Sequence, residues 1–179
     1  MFSRIIKEGD FVLSSGAKSR YNYDYSQLSD TMNEAYCSLL KQKLDVWQSE
    51  HGKFDVIIGC ETEGIRIGYV LSKLINLPFY IMPKKSTDYS EVVIPAYPVD
   101  THWLIVDDIV TTGSTYIKAV DFLDIEEKPE SITFACMIKR NTENMDYSAV
   151  HGDPDKEQLH VRDERFGFID KRLVALHSE

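Results

Sequence analysis

Two adjacent carboxylates, followed by a run of hydroxyls around one glycine, are the residues best suited to do chemistry. They stand in Trp103-Leu104-Ile105-Val106-Asp107-Asp108-Ile109-Val110-Thr111-Thr112-Gly113-Ser114-Thr115. The apolar residues from Trp103 to Val106 predict a central strand that ends at the acids, and the loop after them opens into a helix. In an open parallel sheet, ligands bind at that edge. The loop offers backbone N–H groups and the hydroxyls of Thr111, Thr112, Ser114 and Thr115. A helix start adds positive dipole, and Gly113 lets a ligand approach the backbone closely. Together they suit a dianionic phosphate. Asp107 and Asp108 cannot bind phosphate, but they can accept hydrogen bonds from the vicinal hydroxyls of a ribose and stabilise nearby positive charge. This is not a P-loop: no Gly-Lys-Ser/Thr is present, and the acids precede the loop.

Other chemistries find less support. The five histidines show no pair at metal-ligand spacing, which argues against a zinc site. Ser114 lacks the Gly-x-Ser-x-Gly frame of a hydrolase nucleophile. Cys37, Cys60 and Cys136 are far apart and form neither a zinc pattern nor a disulfide framework. With 20 basic against 29 acidic residues the net charge is -9, which excludes a general binder of nucleic acid or anionic membrane. The longest apolar runs are too short to span a bilayer, and the first residues lack a signal core. The expectation is a cytoplasmic protein of one domain, since 179 residues with 43% apolar content suffice for one core.

The elements that must position these residues read as follows. Phe11 to Leu13 is a short apolar segment before a Ser/Gly turn, and a Tyr-rich stretch follows. A helix begins near Ser26 or Asp30 and is stopped by Gly52. Strands are expected at Phe54 to Cys60, Pro78 to Met82, His102 to Val106 and Ser131 to Ile138. Helices are expected at Gly64 to Ile75 and Thr115 to Ile125. In the first of these, Ile65, Gly68/Tyr69, Leu71/Ser72 and Ile75 should form the buried side. Strands alternating with helices give an α/β fold with a central, mostly parallel twisted sheet. The register of Gln158 to His177 is not legible. Residues 84–101 make a loop of a length that is often functional.

The strand, acid pair and Thr/Gly/Ser loop resemble the signature of the type I phosphoribosyltransferases. In that family this stretch binds phosphoribosyl pyrophosphate. Phe54-Asp55-Val56-Ile57-Ile58-Gly59-Cys60-Glu61-Thr62-Glu63-Gly64-Ile65 looks like the family's pyrophosphate loop, in the same order along the chain. Phe11-Val12-Leu13-Ser14-Ser15-Gly16-Ala17-Lys18-Ser19-Arg20-Tyr21 resembles the segment that folds over the base in orotate phosphoribosyltransferases. The resemblance covers residues 9 to 140 and implies a single domain over residues 1–179. Residues 1–25 would cover the base and residues 84–101 would form a mobile loop, with a small hood built from the chain's two ends.

The resemblance also implies an activity. A pentosyl transfer would carry ribose 5-phosphate from phosphoribosyl pyrophosphate to a nucleobase, orotate first, and release pyrophosphate. Asp107 and Asp108 would be catalytic. Thr111, Thr112, Gly113, Ser114 and Thr115 would hold the 5-phosphate. Glu61, Thr62, Glu63, Gly64, Lys84 and Lys85 would meet the pyrophosphate, and Ser15, Lys18, Asn22 and Tyr23 the base. Mg²⁺ would be carried mainly on substrate oxygens without a dedicated protein ligand, and the protein would be a homodimer. Two departures stand out. A later Lys and His of the family's mobile loop are absent, with Asp88 and Ser90 near their places. Glu63 occupies a position commonly basic. An acid there repels an anionic leaving group. The alternatives are therefore a purine transferase, with Phe166 or Phe168 stacked on the base, and a non-catalytic regulator that binds phosphoribosyl compounds.

Overall fold

The computed structural model describes residues 3, 5–13, 18–60, 62–82, 101–111, 113, 115–116, 119, 131–140 and 173–178. The first element is an antiparallel hairpin of β1 (Ile6–Val12) and β2 (Lys18–Tyr23). A single 3-10 turn, Tyr25–Gln27, leads to α1 (Asp30–His51). Then come β3 (Val56–Cys60), α2 (Glu63–Ile75), β4 (Phe79–Met82), β5 (His102–Val110), β6 (Ser131–Lys139) and β7 (Leu173–Ser178). Strands β3 to β7 form one sheet in the order β4-β3-β5-β6-β7, and every pairing in it is parallel.

The sheet is buried on both faces, so its strands read as continuous apolar runs: all five residues of β3 are buried. Its two faces feed two cores. Ile57, Leu104, Val106 and Ala135 pack with Leu40 and Leu44 of α1 and Ile67 and Leu71 of α2. Val56, Ile58, Trp103, Ile105 and Phe134 pack on the opposite side with Tyr116 and Ala119, which are helical. The architecture is therefore a three-layer sandwich, and its consequence is local. The chain leaves β3 for β4 on one side and reaches β5 on the other, so the carboxyl ends of β3 and β5 flank the point where strand order reverses. That crevice is where open α/β sheets take ligands.

Several expected boundaries shift, each for a physical reason. Helix α1 starts at Asp30, because the Ser29 side chain accepts the Met32 N–H at 3.3 Å and caps it. Strand β5 continues to Val110 instead of ending at the acids, because β6 goes on pairing with it through Lys139 after β3 has stopped. The buried face of α2 is Gly64, Ile67, Gly68, Leu71 and Ser72, while Tyr69 is exposed and Ile65 only half-buried. Small residues, Gly64, Gly68 and Ser72, share that face with Ile67 and Leu71 because the helix lies almost in contact with the sheet. A Cβ on Gly64 would stand 2.5 Å from the Val106 carbonyl oxygen. The expected short segment falls at the end of β1, which starts earlier at Ile6, the expected Ser14-Ser15-Gly16 turn lies outside the described residues, and β7 supplies a fifth strand where no register was legible. The helix expected from Thr115 is described only at residues 115, 116 and 119. Among the described residues no helix is long and apolar enough to cross a membrane.

Candidate active site

Strand alternation sends the two acids to opposite faces of β5. Asp107 follows Trp103 and Ile105 toward the side of Tyr116 and Cys136, and the Thr115 hydroxyl hydrogen-bonds its carboxylate. Asp108 lies on the α2 side, where its charge is felt together with that of Glu63. One strand thus sets one carboxylate beneath the hydroxyl loop and the other beside the loop that follows β3. Backbone N–H groups fix both: Asp108 N–H donates to Asp107 Oδ1 at 3.0 Å, and Ile109 N–H donates to Asp108 Oδ1 at 2.8 Å.

These carboxyls carry a cost in the free protein. Burial pushes Asp107 well above the usual carboxylate range, and the charge of Asp108 adds to the rise. The Asp108 N–H and the Thr115 hydroxyl oppose it. Burial likewise raises Asp108, against the pull of the Ile109 N–H. A buried and a half-buried acid held that way favour any ligand that brings positive charge or hydroxyl donors. Among the described residues no three His, Cys, Asp or Glu side chains converge as a metal cage. The pair fits a cation that arrives on the oxygens of a ligand, because such a cation would relieve exactly the charge that burial penalises.

The loops on either side are shaped for backbone approach. Gly113 is buried with φ 78°, a left-handed conformation that favours glycine. Thr111 and Thr115 are half-buried beside it. On the other side Gly64 presses against Val106 and Asp107, whose Cα a Cβ would meet at 3.1 Å. That contact brings the start of α2 onto the acids. No side chain caps α2 from Thr62, which is exposed, so its first N–H groups and its positive end face this edge. Asp107, Asp108, Thr111, Gly113, Thr115, Glu63 and Gly64 are therefore brought together. Glu61, Thr112, Ser114, Ser15, Lys84, Lys85, Phe166 and Phe168, and the loop expected at 84–101 except its last residue, lie outside the described residues.

The hairpin reaches the same edge through a residue that the sequence did not single out. Arg140 follows β6, is buried, and joins its N–H to the Val110 carbonyl at 2.8 Å. Its Nη2 donates to Ser19 Oγ at 2.8 Å and to the Tyr21 carbonyl at 3.2 Å, and its guanidinium lies 4.8 Å from the Tyr23 ring centroid. The available signal was a Lys-Arg pair directly after the apolar run Phe134 to Ile138. Tyr23 is half-buried under this contact. Lys18, Arg20 and Asn22 occupy the other face of β2, and Lys18 is exposed, so the structure does not bring Lys18 and Tyr23 to one face. Arg66 was also missed, whereas Tyr25 belongs to the Tyr-rich stretch that the sequence marks. Tyr25 is buried, donates to Asn33 Oδ1 at 2.9 Å, and lies near enough to Arg66, Asp108 and Glu63 to feel all three.

A parallel sheet with helices on both faces, an acid pair at its switch point and a hydroxyl loop opening into a helix together define the fold of a type I phosphoribosyltransferase. The chain belongs to the phosphoribosyl transferase domain family, whose model matches residues 25–160. Among curated relatives, an orotate phosphoribosyltransferase of Sulfurisphaera tokodaii is 30% identical over 125 residues, covering 69% of this chain and 63% of that protein. One from Aeropyrum pernix is 27% identical over 119 residues, covering 66% of this chain and 63% of that protein. The chain thus matches somewhat less than two thirds of the length of these relatives. Among solved structures, the Aeropyrum pernix orotate phosphoribosyltransferase superposes with a TM-score of 0.66 at 24% identity, covering 98% of this chain and 88% of that one. Adenine phosphoribosyltransferase of Saccharomyces cerevisiae gives 0.60 at 18% identity, covering 77% of this chain and 85% of that one.

Proposed function

We propose that this protein transfers ribose 5-phosphate from phosphoribosyl pyrophosphate to a nucleobase, releasing pyrophosphate, with orotate the preferred acceptor. The observation that carries the reading is the Asp107–Asp108 pair, with Asp107 buried and both raised in pKa, set between two loops suited to anions. Curated relatives named orotate phosphoribosyltransferase support the choice of acceptor. In this reading the loop 111–115 takes the 5-phosphate with N–H groups and hydroxyls. The acids accept the ribose hydroxyls and stabilise the positive charge that develops at the anomeric carbon as pyrophosphate leaves. The start of α2, with Lys84 and Lys85, receives the pyrophosphate. Loop 84–101 closes over the reacting groups and excludes water, which competes as nucleophile. Mg²⁺ carried on the substrate's oxygens supplies positive charge that eases departure of the leaving group.

The base belongs on the hairpin side. Arg140 holds β2 against the carboxyl ends of β5 and β6, with its guanidinium over the Tyr23 ring. Ser15 is the further candidate there, while Lys18 and Asn22 lie on the opposite face of β2 from Tyr23. The same reading makes the protein cytoplasmic and a homodimer.

A base panel tests it. Protein, Mg²⁺ and phosphoribosyl pyrophosphate are mixed with orotate, adenine, hypoxanthine, guanine or xanthine, and pyrophosphate and nucleotide are measured. Release with orotate above all others is the expected result. Release with purines alone would replace orotate by a purine. Binding of phosphoribosyl pyrophosphate without release from any base would make the chain a regulator, the outcome that Glu63 in the pyrophosphate loop would then explain.

A further inference from the structure

Two charged residues share the first turn of α2, and their arrangement assigns a role that the phosphoribosyl reading does not contain. Glu63 begins the helix against the ends of β3 and β5, and its charge is felt at Asp108 and Tyr25. A polyanion arriving at this edge meets that charge along with the favourable helix end. Glu63 Oε2 is shut off from water and accepts no hydrogen bond. Its ion-pair partner is Arg66 one turn on, with Nη1 3.7 Å from Oε2. The two side chains are 23% and 25% exposed, enough burial for the pairing to escape most solvent screening. Arg66 is anchored from the other direction. Its Nη2 donates to the Leu28 carbonyl at 2.7 Å and to Asp30 Oδ1 at 2.8 Å, where the 3-10 turn after the hairpin meets α1.

We propose that Arg66 is a positioning residue for the anionic end of the substrate. Held on Leu28 and Asp30, it draws the Glu63 carboxylate back along α2 and offsets its charge, so that pyrophosphate oxygens can approach the helix N-terminus. An acid at a place that repels the leaving group is thereby made compatible with binding. The inference rests on the phosphoribosyl reading and deepens it.

A double-mutant cycle on the full chain tests it, read by calorimetric binding of phosphoribosyl pyrophosphate with Mg²⁺. Arg66→Gln should weaken binding about fivefold or more, because it releases an uncompensated acid toward the ligand. The loss should shrink as salt is raised. Glu63→Gln should bind more tightly than the native chain. The Glu63→Gln/Arg66→Gln double variant should return to within about twofold of Glu63→Gln. That rescue is what a purely structural arginine would not give. If Arg66→Gln does not fold, Arg66→Met, which keeps the apolar stem, takes its place in the cycle. A silent Arg66 substitution, or a double variant as impaired as Arg66→Gln, overturns the inference while leaving phosphoribosyl binding intact. A native chain that does not bind phosphoribosyl pyrophosphate removes the underlying reading as well.

Discussion

The two edges of the central sheet treat buried polar groups in opposite ways. Among the described residues, the buried polar groups at the amino edge are met by the protein itself. His102 Nε2 and the Thr133 hydroxyl lie 2.7 Å apart, and the Trp47 indole N–H donates to the same hydroxyl at 3.2 Å. Asp55 Oδ2 accepts the His102 N–H at 2.8 Å, Trp103 Nε1 donates to Thr101 at 2.9 Å, and the Phe54 ring meets the His102 ring edge-on. At the carboxyl edge, Asp107 and Asp108 are raised in pKa although backbone N–H groups donate to both, and Glu63 keeps a buried oxygen with no hydrogen bond. Buried polar groups normally find partners within the fold. Glu63 Oε2 departs from that rule and the acid pair is held at a pKa cost, and both mark the carboxyl edge as the one that waits for a ligand.

The contrast can be broken from either side. The larger stability effect belongs to the closed edge. Thr133→Val keeps the shape but takes the hydroxyl from both His102 and Trp47. It should cost about 1–3 kcal/mol in urea unfolding, with turnover per folded molecule unchanged. A neutral Thr133→Val would mean that the amino edge is not held by this network.

The open edge should respond with the opposite sign. Asp107→Asn removes a carboxyl that burial penalises, and should raise stability at neutral pH by about 0.5–2 kcal/mol while activity falls. The pH dependence follows from the direction of the shift. A carboxyl raised in the folded state contributes its stability fully below the ordinary value of 3.8 and loses it as pH climbs through the raised folded value. Native protein should therefore lose stability over that rise, and Asp107→Asn should flatten the slope. Chemical denaturation at a series of pH values measures both. An Asp107→Asn variant less stable than the native chain would show the acid to be a structural group.

The carboxyl edge was largely legible in the sequence because its signal is local. An apolar run, two acids and a Thr/Gly/Ser loop are contiguous, and the loop after Gly59 adds its own glycine at Gly64. What escaped depends on distant contacts. β1 is almost wholly exposed, so it shows no apolar alternation by which to recognise a strand. The buried face of α2 was legible at Gly68, Leu71 and Ser72 but missed at Gly64 and Ile67, because close packing on the sheet turns the helix onto its glycines. Arg140 reads as a surface base until β2 folds over it, and Arg66 as a solvated helix residue until Leu28 after the 3-10 turn and Asp30 at the start of α1 meet it.

The central claim is that the acid pair at the open edge holds the ribose of phosphoribosyl pyrophosphate and makes its transfer possible. The Asp107→Asn/Asp108→Asn double variant tests it most directly, with orotate-dependent release of pyrophosphate measured beside the native chain. The variant should stay folded and melt no lower than the native protein, with turnover reduced roughly 100-fold or more, as expected for lost electrostatic stabilisation of the transition state. Undiminished pyrophosphate release from that folded variant would contradict the account.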